Sequence, residues 1–67
     1  MKIKYFNDVD TVCEMESNDV AGVIAAVEKT DYLYFQEDVY KFEYFRFNHY
    51  LENNEWQEKL IVYMTND

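Results

Sequence analysis

The chain has 67 residues, and its six Lys and Arg against fourteen Asp and Glu give a net charge of −8. A chain of this length forms one small domain, residues 1–67, which buries only about 60% of the surface that the unfolded form exposes. A charge this negative repels nucleic acid and anionic membranes and attracts basic surfaces. The composition therefore argues against direct nucleic-acid or membrane binding and favours a basic protein as partner.

The sequence lacks the covalent and metal supports that stabilise many small domains. Cys13 is the single cysteine and His49 the single histidine, so neither an internal disulfide nor a zinc site of Cys and His ligands can form. No segment approaches 18 consecutive apolar residues, and the N-terminal segment has no apolar signal-peptide core. We expect a protein without cofactor or metal in the reducing cytosol.

Alternation of apolar and polar residues predicts two strands near the N-terminus. Residues 2–6 alternate clearly, and residues 9–16 alternate weakly. A short helix is the alternative for residues 9–16, because three of their apolar residues also have helical spacing.

Residues 19–29 form the predicted helix. Its apolar residues recur at i, i+3, i+4 and i+7, and these are Val20, Val23, Ile24 and Val27. Ser17 or Asn18 can cap its N-terminus. Gly22 costs about 1 kcal/mol relative to alanine in a helix, so this helix needs tertiary packing to persist. We expect its apolar side to pack on the apolar face of the aromatic hairpin predicted for residues 39–64.

The most distinct pattern is a long hairpin of residues 39–51 and 56–64, preceded by a short strand at 32–35. Asn53 and Asn54 tolerate the positive φ angles that a two-residue turn requires. With this turn, one face pairs Leu51 with Trp56, Phe47 with Leu60, Phe45 with Val62 and Glu43 with Met64. The apolar parity changes along the first strand, which predicts a bulge within residues 43–45. The alternative is a strand that is apolar on both faces, one of which a second copy of the protein covers.

These elements predict an α+β fold in which a small antiparallel sheet of three to five strands packs on one helix. A mainly α fold is the alternative, because apolar residues between 40 and 51 also fit helical spacing. The aromatic and β-branched content of residues 39–64 favours strands.

One pair of residues is a candidate for catalysis. In the predicted register His49 faces Glu58, and a carboxylate can orient an imidazole that acts as a general base. An ordinary polar pair between strands explains the same placement, and no second histidine or suitably spaced serine completes a triad. Residues 8–16 contain four carboxylates but no glycine of the kind that a calcium loop needs for its turn, so we expect no calcium site there. Since neither a triad nor a metal site is indicated, we expect a protein that is not an enzyme.

The acidic residues have spacings that suit a basic surface. Side chains two residues apart on a strand lie roughly 6.6 Å apart, which is close to the separation of phosphates in a nucleic-acid strand. At the predicted tip Glu52 faces Glu55, and this like-charge pair disfavours folding by about a few tenths of a kcal/mol. Solubility is the competing explanation for the charges. The candidate contacts are Asp8, Asp10, Glu14, Glu16, Glu37, Asp38, Glu52 and Glu55.

Six tyrosines are more than so short a chain can place in its core, namely Tyr32, Tyr34, Tyr40, Tyr44, Tyr50 and Tyr63. The competing explanation is that most of them are half-buried sheet residues with solvated hydroxyls. Tyrosine offers contact area at a small cost in conformational entropy, and it is enriched at interfaces. The tyrosines predicted to contact a partner are Tyr32, Tyr34, Tyr40 and Tyr50.

In size, acidity and aromatic content, over its whole length, the chain resembles small proteins that phages and mobile elements make to block host nucleic-acid enzymes. Some of these proteins mimic DNA in charge. The resemblance is one of composition without a motif, so it implies a function but no site residues. We expect a non-enzymatic inhibitor that occupies the basic nucleic-acid-binding surface of a defence nuclease, repair enzyme or polymerase. The alternative is a small structural or adaptor protein that forms a homodimer through its aromatic sheet.

Overall fold

A computed structural model describes residues 1–66, so the last residue of the predicted domain, Asp67, lies outside the described residues. In chain order the elements are β1 (Lys2–Phe6), β2 (Thr11–Glu16), α1 (Val20–Lys29), β3 (Leu33–Phe35), β4 (Asp38–Glu52) and β5 (Glu55–Asn66). The strands form one sheet in the order β2-β1-β5-β4-β3. β1 runs parallel to β5, and the other neighbouring strands are antiparallel.

The predicted fold class, an antiparallel sheet packed on one helix, is wrong, and so is the mainly α alternative. Strands hold 62% of the described residues and the helix 15%, and the sheet is mixed. The physical reason is length. The ten residues of α1 span about 15 Å, whereas the fifteen residues of β4 span up to about 50 Å. The helix is therefore too short to form a layer beneath the whole sheet.

The sheet supplies most of its own core by curling. The rings of Tyr5 on β1 and Phe35 on β3 have centroids 5.1 Å apart, although two strands lie between β1 and β3. The buried cluster consists of strand residues with one helix residue, namely Ile3, Tyr5, Leu60, Val62, Met64 and Val27. Burial raises the pKa of the Tyr5 phenol, and the neighbouring Cys13 thiol adds to this effect.

The predicted hairpin register is confirmed for most of its length. Leu51 faces Trp56, and the pairs continue toward the base of the hairpin. Asn53 and Asn54 both have positive φ, as the two-residue turn requires. The predicted bulge is confirmed at Glu43, where the register shifts between Phe42 and Tyr44. The predicted pairing of Glu43 with Met64 is wrong, because the bulge places Phe42 opposite Met64.

The N-terminal cap of α1 is Asp19, whose Oδ1 accepts a hydrogen bond from the backbone N–H of Gly22 at 3.1 Å. The prediction that Ser17 or Asn18 would cap the helix is wrong. The Ser17 hydroxyl instead accepts a hydrogen bond from the Asp19 N–H at 3.1 Å. None of the helical structure in residues 1–66 has the length and apolar character that crossing a membrane requires.

The sheet has two faces with different compositions. The helix-side face carries the buried residues Ile3, Leu60 and Val62, which pack near Val27 of α1. The opposite face, called the open face below, carries the alternate residues of the same strands, among them Ile61. This alternation follows from the two-residue period of a strand, so each predicted contact residue on a strand can be assigned to one face.

Candidate protein-interaction site

The end of the β4–β5 hairpin extends beyond the rest of the sheet. β1 begins at Lys2, which lies opposite Lys59 of β5. Residues 48–58 therefore project past the start of β1, and they are called the hairpin arm below. The molecule is 39 Å along its longest axis and 19 Å along its shortest. An arm supported on so few sides leaves side chains exposed on its surface.

The helix-side face of the arm carries two apolar side chains that no other element covers. Leu51 and Trp56 are opposite each other, and they are 57% and 70% exposed. Phe47, at the base of the arm, is 48% exposed, whereas its partner Leu60 is fully buried. The covered core therefore ends at Leu60. Beyond it Phe47, Leu51 and Trp56 are exposed, and the pair of His49 and Glu58 lies between Phe47 and the other two. Aromatic residues exposed in this way are typical anchors of protein interfaces.

Carboxylates lie on both faces of the arm. Glu52 and Glu55 face each other at the tip on the open face, whereas Glu58 lies on the same face as Trp56, two residues along β5. Residues 48–58 contain no lysine or arginine, so the arm carries three negative charges when His49 is neutral. An apolar anchor within a negative rim suits a partner whose basic surface contains an apolar recess.

The predicted pair of His49 and Glu58 is present on the arm. His49 Nε2 lies 3.4 Å from Glu58 Oε2, and both side chains are more than half exposed. Because both side chains are open to solvent, their contact resembles a surface ion pair, which contributes about 0–1 kcal/mol to the free energy of folding. No group of three or more His, Cys, Asp or Glu residues within residues 1–66 is arranged to hold a metal ion.

The eight acidic residues predicted to contact a partner are in three places. Asp8 and Asp10 are in the β1–β2 loop, and Glu37 and Asp38 are in the β3–β4 turn and at the start of β4, at the same end of the sheet. The tip acids Glu52 and Glu55 are at the opposite end, and Glu14 and Glu16 are on the edge strand β2. A partner that binds the tip acids therefore reaches the acids of the other end only if it extends along the length of the sheet, whose longest axis is 39 Å.

Glu14 and Glu16 are already near positive groups. Glu14 lies 3.6 Å from the Lys59 ammonium, and Glu16 lies 3.4 Å from the N-terminal ammonium. In the register of β1 and β2, Glu14 is opposite Lys4. The charge that these two carboxylates present to a partner is therefore smaller than the sequence suggests.

The four predicted tyrosines also differ in position. Tyr34 is 68% exposed on β3, and Tyr32, just before β3, is 38% exposed. Tyr40 is half-buried, and its ring lies 5.8 Å from that of Phe35. Tyr50 is on the open face of the arm, with the Lys59 ammonium 5.6 Å from its ring centre. Only Tyr50 belongs to the arm.

The cations are concentrated on the open face. Five of the six Lys and Arg residues are there by register, namely Lys2, Lys4, Lys41, Arg46 and Lys59, while Lys29 ends the helix. Lys4 and Arg46 are opposite Ile61 on its two sides, and Ile61 is 8% exposed although it is on this face. The hydroxyl of Tyr63 raises the pKa of Arg46. Because the cations are gathered here, the remaining surface is more negative than the average over the chain.

Sequence reasoning missed Phe47, Leu51 and Trp56 as contact residues, because it placed them beneath the helix. A signal for their exposure was present in the lengths of the predicted elements. An eleven-residue helix spans about 16 Å, which cannot cover a hairpin whose strands are two to three times as long.

In comparisons with known proteins, no protein-family model, no curated protein and no solved structure matches this chain. The function is therefore inferred from the residues and their arrangement.

Proposed function

We propose that the protein is a non-enzymatic inhibitor that occupies the basic nucleic-acid-binding surface of a host enzyme. Phages and mobile elements make inhibitors of this kind, which act in the host cytosol against defence nucleases, repair enzymes or polymerases. The observation that carries the proposal is the hairpin arm, where the exposed pair Leu51 and Trp56 is next to the carboxylates of Glu52, Glu55 and Glu58.

The two kinds of residue on the arm have different effects on binding. The carboxylates replace nucleic-acid phosphates at the partner's cations and speed association through long-range attraction. Trp56 enters an apolar recess of the partner, and its burial slows dissociation. The facing carboxylates of Glu52 and Glu55 repel each other in the free protein, so contact with a cation of the partner relieves a cost that folding alone does not remove.

The test is capture of proteins from a lysate of the organism that carries the sequence, at low and at high salt. Captured proteins should include nucleic-acid-binding enzymes, and added double-stranded DNA should release them because DNA competes for the same surface. Raising the salt from low to physiological concentration should weaken capture, since surface charges are screened over about 8 Å at 0.15 M.

Variants of the arm make this test specific. Trp56→Ala should weaken affinity for the captured enzyme by about 30-fold, the effect of removing an interface anchor worth roughly 2 kcal/mol. Replacing both Glu52 and Glu55 by Gln should slow association and reduce the salt dependence, while relieving the repulsion at the tip. Tyr34→Ala is the matched control, because Tyr34 is 68% exposed on β3, away from the arm. Equal capture by all these variants, or capture that DNA does not affect, would refute the proposal.

A further inference from the structure

The outer edge of β4 is unpaired over most of its length. β3 pairs with Asp38, Val39 and Tyr40 only, and no other strand in the described part of the chain lies on that side of β4. Every second residue from 41 to 52 therefore presents free backbone N–H and C=O groups, along about 35 Å of edge. A long unpaired edge of this kind is a template for another strand.

The devices that usually protect a sheet edge are gathered at one end of this strand. The Glu43 bulge and Lys41 are close to β3, where they disturb pairing. From Tyr44 to Leu51 the edge contains a single charged residue, Arg46, and the chain has no proline. The unprotected part is rich in aromatic residues, which favour strand pairing.

The charge of residues 41–52 favours a second copy of this chain as the strand that pairs with this edge. Two copies repel each other over most of their surfaces, because each carries a net charge of −8. The segment 41–52 is an exception. Its Lys41 and Arg46 balance Glu43 and Glu52, so this edge has no net charge when His49 is neutral. The edge is therefore a place where like copies can approach without net repulsion.

We propose that two copies pair antiparallel through their β4 edges, with Asn48 on the twofold axis. A twofold axis perpendicular to the sheet keeps both helix-side faces on one side, and this restricts the register to those centred on a residue. A centre at Arg46 places two arginines directly opposite each other. A centre at Phe47 places each Arg46 diagonal to the other. A centre at His49 places Arg46 directly opposite Glu52 but pairs only residues 46–52. A centre at Asn48 places each Arg46 diagonal to Glu52 of the second copy, a favourable combination, and pairs the whole segment 44–52 that follows the bulge.

This register also covers apolar surface that the single chain exposes. Phe45 lies opposite Leu51 of the second copy on the helix-side face, and Arg46 lies opposite Tyr50 on the open face. Each contact occurs twice because of the symmetry. The two five-stranded sheets join into one sheet of ten strands. Trp56 is on β5, one strand away from the new contact, so it stays available to another protein.

Sedimentation equilibrium from low to high micromolar concentration tests this pairing. The unmodified protein should form dimers, and Asn48→Lys should weaken dimerisation by about tenfold, because it places two ammonium groups opposite each other and near Arg46. Gln57→Lys is the matched control, since it makes the same charge change on β5 and should leave the dimer intact. A monomer at every concentration, or equal dimerisation by all three proteins, would overturn the proposal.

Disulfide cross-linking tests the register independently of the lysine variant. In a Cys13→Ser background, Asn48→Cys should form a cross-linked dimer on mild oxidation, because directly opposite Cα atoms lie about 4.5–5.5 Å apart. His49→Cys is the control, since its two copies would be about 8 Å apart, beyond the reach of a disulfide. Cross-linking through position 49 and not 48 would show that the register is wrong.

Discussion

Two leucines on the same face of the hairpin predict where the core ends. Leu60 is fully buried, and Leu51 is 57% exposed. Leu60→Ala should reduce the free energy of unfolding by about 2–5 kcal/mol, since it removes buried methyl groups and leaves a cavity. Leu51→Ala should cost less than about 1 kcal/mol, because less than half of its side chain is covered and no cavity forms. A domain of 67 residues has about 3–10 kcal/mol in total, so Leu60→Ala removes a large part of the stability.

Urea unfolding followed by far-UV circular dichroism measures both effects. With a slope of about 1 kcal/mol per M urea, the midpoint should fall by about 2 M or more for Leu60→Ala and by less than about 1 M for Leu51→Ala. The measurement belongs in the Asn48→Lys background, because pairing through β4 would otherwise cover Leu51. Equal losses for the two variants would contradict the conclusion that the core ends at Leu60.

Other positions give further outcomes that solution measurements can check. Asp19→Ala should lower the free energy of unfolding by about 1 kcal/mol through loss of the helix cap. Gly22→Ala, which ordinarily gains about 1 kcal/mol in a helix, should gain nothing, because its Cβ would meet the Asp19 carboxylate. The pKa of Tyr5 is raised by burial and by Cys13, so its contribution to stability is complete below about pH 10 and falls as the pH rises above that value. Tyr5→Phe should flatten this alkaline decline in urea titrations, and an unchanged decline would contradict the assignment. Trp56 fluorescence should resemble that of tryptophan in water and change little on unfolding, since the side chain is 70% exposed.

The hairpin could be predicted from sequence because its determinants are local. Asn53 and Asn54 permit the tight turn, and this turn sets which residues face each other across the two strands. The change of apolar parity near Glu43 indicated the bulge for the same reason, since alternation of side chains is a property of neighbouring residues. The exposure of Leu51 and Trp56 was not predicted, because it depends on elements far away in the chain.

The fold class was wrong because the sequence pattern does not show which strands become neighbours. The alternation in residues 2–6 indicates a strand but not its position in parallel contact with β5. That position depends on a long connection through β2, α1, β3 and β4, which returns the chain to the middle of the sheet. An α+β fold with the sheet packed on one helix was expected because the apolar face of the helix matched that of the hairpin, although the helix is much the shorter element.

The amount of charge and the number of aromatic rings are properties of composition, and both were known before the fold. Their distribution depends on pairing between distant strands. This pairing gathers five of the six cations on the open face. It places the predicted acidic contacts at the two opposite ends of the sheet and on its edge strand β2. It also places the buried core at the centre of the curled sheet, where β1 and β5 meet, and leaves the hairpin arm beyond it. Local alternation sets the face on which each side chain lies, whereas burial requires a second layer of atoms over that face, and the short helix and strand β1 do not reach the arm.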